Sequence, residues 1–324
     1  MRAVIPVAGV GSRLRPHTYS IPKVLLNVAG KPIIGHILDR LVENGIDEAS
    51  IIIGYLGDKI KEYVESNYRM RLDFIEQEER QGLGQAIYSA RGTFGSDPIL
   101  IILGDTIFEF DLSGLLKSEH SAIGLKEVQD PRRFGVAALQ DGYVEKLLEK
   151  PEKPPTNLAV VGLYYIKNPR LLTDSLGQII SHGIRTKGEF QLTDALQLMI
   201  EKGEKIRPFN VDGWYDCGNQ ETLLATNRHL LEKRSTGRTI EGVVVHPPVY
   251  LSPTCQITSS VIGPYATIAD GAVVEESIVR NSIVSEEARV QKALLEDSIV
   301  GNNATVRGNY KRLNIGDSSE IDFY

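Results

Sequence analysis

Aliphatic residues recur at six-residue intervals late in the chain: Ile262, Ile268 and Val274, then Ile278, Val284 and Val290, then Leu294, Val300 and Val306. Small or polar residues fill the gaps, as in Gly263-Pro264-Tyr265-Ala266-Thr267 and Gly301-Asn302-Asn303-Ala304-Thr305. Few folds accept that spacing. A helix buries a side chain every three or four positions and a half-buried strand every two. A parallel β-helix with tight corners and one inward aliphatic per face fits. The period restarts twice, each time after four residues instead of six, so coils of irregular length are expected. A β-sandwich rich in valine and isoleucine is the competing architecture, and it has no reason to sustain such a repeat.

The first 230 or so residues read differently. Strand-like runs (Arg2–Val7, Ser50–Ile53, Arg71–Ile75, Ile99–Leu103) alternate with helical patterns. Ile33, Ile34, Ile37, Leu38, Leu41 and Val42 mark one helix face, which Asn44-Gly45 ends, and Asp58–Glu65 and Leu83–Ala90 follow. This alternation predicts an open α/β sheet, mostly parallel and covered by helices. From about Ser121 strands predominate (Ala122–Lys126, Gly135–Leu139, Leu158–Ile166), Pro151–Pro155 reads as a loop, and Leu171–Ile180, Phe190–Ile200 and Gln220–Leu231 read as helices, with the strand Lys205–Val211 between the last two. Glu232–Gly237 is polar and ends in glycine, which places a boundary between domains at 1–235 and 240–324.

In an open α/β sheet ligands sit beyond the carboxyl ends of the strands. Two loops lie there. The first, Ala8-Gly9-Val10-Gly11-Ser12-Arg13, follows the opening strand, and Pro22-Lys23 comes ten residues after Arg13. Glycines let backbone N–H groups approach a phosphate, and Arg13 and Lys23 would add charge to the same anion. An ordinary turn with two surface cations has the same spacing. The second, Leu103-Gly104-Asp105, offers a carboxylate for Mg²⁺, with Asp216 in Trp214-Tyr215-Asp216-Cys217-Gly218 as the second, although either aspartate alone reads equally as a helix cap or turn. Glu149-Lys150-Pro151 would present a carboxylate to sugar hydroxyls and an ammonium to a phosphate, or is a solvated pair. Gln81-Gly82-Leu83-Gly84-Gln85 would lay backbone against a flat base with Gln77 reading its edge, or is a glycine-rich helix entry. Trp214, the six histidines and the two cysteines take structural readings, since none has metal-ligand or triad spacing.

Composition limits the partners. Charged residues make up 24% and the net charge is −6, which argues against a general nucleic-acid binder while leaving room for a local basic pocket. Cys217 and Cys255 cannot make a disulfide framework and fit a reducing cytoplasm. No apolar run nears the roughly 18 residues that span a bilayer, and the N-terminal residues read as a core strand without a signal-peptide pattern.

In order along the chain, these pieces resemble the sugar-phosphate nucleotidylyltransferases, closest to their glucose-1-phosphate thymidylyl/uridylyltransferase branch. The matching stretches are Ala8–Arg13, Pro22-Lys23, Gly82-Leu83-Gly84-Gln85, Leu103-Gly104-Asp105, Arg133-Phe134-Gly135-Val136, Glu149-Lys150-Pro151, Val161-Gly162-Leu163-Tyr164, Glu189-Phe190-Gln191-Leu192-Thr193-Asp194 and Trp214–Gly218. Ser252–Gly308 resembles the left-handed β-helix tail that many relatives carry. The resemblance implies a Rossmann-like sheet followed by that tail, and transfer of a nucleotidyl group from dTTP or UTP to a sugar 1-phosphate, glucose 1-phosphate above all, with Mg²⁺. It implies nucleotide contacts from Ala8, Gly9, Gly11, Ser12, Arg13, Lys23, Gln77, Gly82 and Asp105, and a metal on Asp105 and Asp216. Arg13 would meet the β- and γ-phosphates and Lys23 the α-phosphate. Lys150 would hold the sugar phosphate, Glu149 and Val160 the sugar, with backbone of Gly135 and Gly162 lining its pocket. Arg13, Lys23, Asp105, Lys150 and Asp216 form the catalytic set. A homo-oligomer is expected from the tail. Ala8 in place of a first glycine, Ser12 in place of threonine and Phe134 in place of tyrosine depart from the family pattern and bear on nucleotide choice.

Four other readings compete. A silent scaffold subunit would have lost the charged set, which this chain keeps. A second, acyltransferase activity needs more coils and a histidine inside them. A related glycosyltransferase would show Asp-x-Asp where Gly104-Asp105-Thr106 stands. GTP with mannose 1-phosphate is the alternative substrate pair.

Overall fold

The computed structural model describes residues 1–109, 112–115, 117–234 and 238–308. The proposed boundary at Glu232–Gly237 and the last residues of the 240–324 segment fall partly outside this set. Contacts group the chain into two units: Met1–Leu26 with Lys31–Leu223, and Asn27–Gly30 with the chain from Leu224 onward.

The first unit is organised on a nine-stranded sheet. Its parallel half runs β4 (Ile99–Ile102), β1 (Arg2–Pro6), β2 (Glu48–Ile53), β3 (Arg71–Glu76). All four residues of β4 are buried, as the uninterrupted aliphatic run requires of a central strand. The helices α1 (Ile33–Glu43), α2 (Gly57–Asn67) and α3 (Leu83–Ser89) follow β1, β2 and β3 in the chain. The other half adds β6 (Ser121–Glu127), β7 (Gly135–Gln140), β8 (Tyr143–Glu149), β9 (Leu158–Ile166) and β10 (Ile206–Asn210). Strand β9 runs antiparallel to β4, β6 and β7, and so joins the halves. Helices α4 (Pro169–Ser181) and α5 (Leu192–Glu201) pack on it, with Tyr164, Leu176 and Leu196 in one core with Val4 and Ile101. Helix α5 starts two residues later than the sequence pattern predicts, because Phe190 spends its N–H on the carbonyl of Gln81 and its carbonyl on the N–H of Gly84.

Two short strands escape the sequence reading. β5 (Thr106–Glu109) and β11 (Gly213–Asp216) pair antiparallel as a separate ribbon just past the end of β4.

The second unit contains the residues of α6 (Gln220–Arg234) from Leu224 on, and a stack of short strands. The strands form three parallel four-stranded sheets, one per face, consistent with a left-handed β-helix. The inward side chains correct the sequence count. Val279 and Leu295, not Ile278 and Leu294, continue the column begun by Ile262: Val279 is fully buried and Leu294 is 71% exposed. Ile262 pairs with Val279, seventeen positions on, whereas Val274 pairs with Val290, sixteen on. The coils are therefore shorter than three hexapeptides. The missing residues come out of the corners, where Ser259, Tyr265, Glu276, Asn281, Glu287, Lys292, Asp297 and Asn303 take left-handed backbone. Within this unit the buried Asn227 accepts from the N–H of Ala29 (2.9 Å) and from Thr267 Oγ1 (2.7 Å) and donates to the carbonyl of Tyr265 (3.2 Å), so a turn from early in the chain is built into the coil. Among the described residues no helix is long and apolar enough to cross a membrane, and Cys217 and Cys255 are buried thiols outside any disulfide.

Candidate active site

The loop after β1 is shaped by one glycine. Gly11 has φ +63°, and a Cβ there would stand 2.9 Å from Cβ of Lys23. Only a residue without a side chain lets the Lys23 backbone close over the loop in this way. Thr18 Oγ1 fixes the arrangement by donating to the Gly11 carbonyl at 2.9 Å. A side chain on Gly9 would meet nothing within 4 Å, so this side of the loop is open. It faces a cleft of about 1240 Å³, part of it open solvent, lined by Ala8, Gly9, Gly11, Ser12, Arg13, Lys23, Gln77, Gly82, Gly104 and Asp105. All nine residues expected to touch a nucleotide therefore share one wall. Leu83, from the Gln81–Gln85 stretch, lines it too, as do Arg80 and Glu189, to which the sequence reading gave no role there. The Glu189-Phe190-Gln191 stretch was visible as a motif, but nothing in its spacing says that it folds back on Gln81–Gly84.

The acids arrive by a different route. At the end of β4, Gly104 packs so close to β1 that a Cβ would lie 2.2 Å from Val7 Cγ1, and this delivers Asp105 beside the loop. Lys23 Nζ donates to Asp105 Oδ2 at 2.9 Å, and Thr106 Oγ1 to Oδ1 at 3.2 Å. Ribbon β5–β11 then sets Asp216 opposite Thr106. The carboxyl of Asp216 stands against Gly218, on the cleft wall, where a Cβ would fall 2.7 Å from Oδ2. Burial alone would raise the Asp105 carboxyl, but the Lys23 ammonium overrides it and holds the group below the usual range. Burial raises Asp216, and the neighbouring Asp105 charge raises it further against the pull of Lys23 and Arg13. The four side chains thus share one electrostatic environment.

The wall at Gln77 and Gly82 is built largely from backbone. Gly82 has φ +116°, and a Cβ there would meet the Phe190 carbonyl oxygen at 2.6 Å. The buried Gln77 donates through Nε2 to Gln85 Oε1 at 2.6 Å and to the Gly82 carbonyl at 3.4 Å, which fixes its amide at the mouth of α3.

The residues expected around a sugar phosphate form a second group. Gly135 faces Glu149 across β7–β8, and a Cβ on Gly135 would lie 3.2 Å from Glu149 Oε2 and 3.5 Å from Val160 Cβ. Lys150 Nζ pairs with Glu149 Oε1 at 3.3 Å. Thr193, which the sequence reading did not single out, donates to Glu149 Oε2 at 2.8 Å. Burial first, and the Glu149 charge after it, raise both the Tyr164 phenol and, despite a hydrogen bond from Thr186, the Asp194 carboxyl. Gly162 belongs to the seam with the first group: its carbonyl accepts from Leu103 at 3.0 Å, and with φ +86° a Cβ would fall 2.5 Å from Leu103 Cδ1. Leu103 lines the cleft.

Chemically, the first group offers two cations and a glycine loop for a polyanion beside two adjacent carboxylates. The acids fit a hard divalent cation such as Mg²⁺, which takes one or two carboxylates and fills its shell with phosphate oxygens and water. A cation between them would also relieve the repulsion that raises Asp216. Among the described residues there is no cluster of three or more His, Cys, Asp or Glu, so any such ion would be completed by its ligand.

Known proteins share the sequence pattern and the fold of this chain. A family model described as nucleotidyl transferase matches residues 2–233. The low-salt glycan biosynthesis nucleotidyltransferase Agl11 of Haloferax volcanii is 33% identical, over 99% of each chain. The bifunctional protein GlmU of Methanocaldococcus jannaschii is 35% identical over 94% of this chain and 78% of its own, and the glucose-1-phosphate thymidylyltransferase of Streptomyces griseus 31% over 98% of each. Among solved structures, a UDP-glucose pyrophosphorylase complexed with UDP-glucose superposes with TM-score 0.62 at 25% identity, covering 72% of this chain and 99% of that one. A putative glucose-1-phosphate thymidylyltransferase from Bacillus anthracis, in complex with a sucrose, gives TM-score 0.62 at 27% identity over 74% of this chain and 98% of its own.

Proposed function

This chain belongs to the nucleotidyl transferase family, and we propose that it transfers the nucleotidyl group of dTTP or UTP to a sugar 1-phosphate, glucose 1-phosphate foremost. The observation that carries the reading is the convergence of Asp105, Asp216, Lys23 and Arg13 at a glycine loop that leaves open room for a polyphosphate. The choice of pyrimidine and of glucose is supported by the names of the thymidylyltransferase and UDP-glucose relatives and by the Gln77–Gly82 wall.

The chemistry asks for positioning more than for acid–base work. A sugar phosphate oxygen is already ionised at neutral pH and needs no general base. It attacks the α-phosphorus; the bond from that phosphorus to the bridging oxygen of the β-phosphate breaks, and pyrophosphate leaves with the electron pair. Arg13 neutralises the departing β- and γ-phosphates. Lys23, held against Asp105, keeps an ammonium at the α-phosphate. Lys150 draws in the sugar phosphate, and Glu149, steadied by Thr193, orients the sugar hydroxyls. Held by Asp105 and Asp216, Mg²⁺ would supply the additional positive charge that the crowded α-phosphate needs.

A pyrophosphate-release assay over dTTP, UTP, CTP, GTP and ATP against several sugar 1-phosphates with Mg²⁺ tests the reading. Turnover centred on dTTP or UTP with glucose 1-phosphate is expected. No release with any pair would overturn it, and preference for GTP with mannose 1-phosphate would move it to the alternative pair.

A further inference from the structure

The segment that carries Arg13 at one end and Lys23 at the other has little regular structure of its own. It contains single 3-10 turns at Ser12–Leu14, His17–Tyr19 and Lys23–Leu25. Such turns hold their shape only when something outside them does. The inner half is secured by Thr18 on Gly11 and by Lys23 on Asp105. The outer half is secured by one short stretch at the end of β2 and the start of α2. Tyr55 Oη donates to the carbonyl of Tyr19 at 2.9 Å, and Lys59 Nζ donates to the carbonyl of Ser20 at 2.8 Å. The same stretch meets the loop a third time at Gly54, where a Cβ would lie 2.9 Å from the carbonyl oxygen of Ala8. Its footing is firm: β2 lies inside the parallel sheet, and Ile60 and Val64 of α2 are fully buried.

We propose that Tyr55 and Lys59 are positioning residues that brace the Gly11–Lys23 loop in the shape that receives the nucleotide polyphosphate. The inference rests on the reading of that loop given above. Neither side chain lines the cleft, so neither touches the ligand directly. Both are exposed, so each bond competes with water and is individually modest. Their joint effect is to narrow the conformations of a loop that must otherwise be ordered when the nucleotide binds. A ligand that finds its competent loop only part of the time binds more weakly by that fraction. The cost should therefore fall on the nucleotide and spare the sugar phosphate.

The test compares wild type, Tyr55→Phe, Lys59→Met, the double variant and Lys59→Arg, which keeps a donor. Hydrogen exchange of peptides covering residues 11–23, melting temperature, and separate KM values for nucleotide and sugar 1-phosphate are measured. The double variant should exchange faster in that loop alone, raise the nucleotide KM at least about fivefold and leave the sugar-phosphate KM within about twofold. Tyr55→Phe should show part of the effect without any change of charge, and Lys59→Arg should stay near wild type. Unchanged exchange with an unchanged nucleotide KM would overturn the brace, as would a fall in melting temperature with both KM values moving together. If wild type released no pyrophosphate with any substrate pair, the functional reading would fail, and the exchange measurement would still decide whether these two residues hold the loop.

Discussion

The backbone N–H of Cys217 donates to the carbonyl of Asp105 at 3.1 Å, and this bond prolongs the ladder in which Thr106 faces Asp216. Two acids more than a hundred positions apart are thereby held side by side by main chain, not by their own side chains. Their environments then push them in opposite directions. Asp105, against Lys23, is held below the ordinary carboxylate value of 3.8, and Asp216, half-buried beside a like charge, is raised above it.

Opposite stability effects should follow for two chemically identical substitutions. A lowered carboxyl adds stability above its unfolded value, and that stability is lost as pH falls through the folded value. Asp105→Asn should therefore lower the melting temperature at pH 7, also because it leaves the nearly buried Lys23 without its anion. A raised carboxyl behaves in reverse: its contribution is fully favourable below 3.8 and turns into a cost as pH rises through the folded value. Asp216→Asn should raise the melting temperature of the ligand-free protein at pH 7, with the gain fading below the carboxylate range. Both should cost about a hundredfold or more in kcat, roughly 2.7 kcal/mol. Thermal melts against pH and kinetics across a Mg²⁺ titration check this; equal shifts in the two variants, or unchanged turnover, would contradict it.

What the chain disclosed in advance, and what it withheld, follows from the range of each signal. The central strand Ile99–Ile102 and the glycine loop were legible because their patterns are local. Asp216 could be nominated, but not placed, because β11 and its partner β5 are four residues each and carry no periodicity. In the coil unit the sixfold repeat identified the architecture, yet Ile278 and Leu294 were assigned inward. They stand in register with Val261 and Val244 on the outer side of the same sheet, so an aliphatic column runs on both sides of it and the count slips by one. The left-handed corners occupied by Glu276, Lys292 and Asp297 gave no warning, since such backbone is normally announced by glycine. Thr193 was invisible as a partner of Glu149 for a simpler reason: forty-four positions separate them.

Lys23→Met and Arg13→Ala should each lower kcat/KM by at least about tenfold, or 1.4 kcal/mol. Lys23 is the more informative of the pair. It is nearly buried and bonded to Asp105, so its loss removes a charge that water cannot replace. Arg13 is exposed and should show a stronger dependence on ionic strength. Steady-state kinetics at two salt concentrations separate them, and activity within twofold of wild type in both would contradict the phosphate-cradle assignment.

Gly82→Ala should strike the nucleotide side selectively. The residue sits at φ +116°, and an added Cβ would press on the Phe190 carbonyl at 2.6 Å, which is backbone and cannot step aside. Relief requires α3 and the Glu189–Gln191 stretch to part, which also disturbs Gln77. The nucleotide KM should rise about tenfold and the melting temperature should fall. Kinetics with each substrate varied in turn provide the check; a wild-type nucleotide KM would show that this backbone does not contact the base.

Thr193→Val addresses the other substrate. The swap keeps the shape of a buried side chain and deletes one donor, the hydroxyl 2.8 Å from Glu149 Oε2. Glu149 keeps Lys150 on its other oxygen, so the fold should survive. What it loses is orientation, because one of the two bonds that aim its carboxylate is gone. The KM for sugar 1-phosphate should rise about three- to tenfold, less than the full worth of one hydrogen bond to a charged group because Thr193 acts only through Glu149, while the nucleotide KM holds. Thr193→Ser, which restores the donor, should recover most of the loss. If Val and Ser behave alike, the hydroxyl has no part in binding and Glu149 does not orient the sugar.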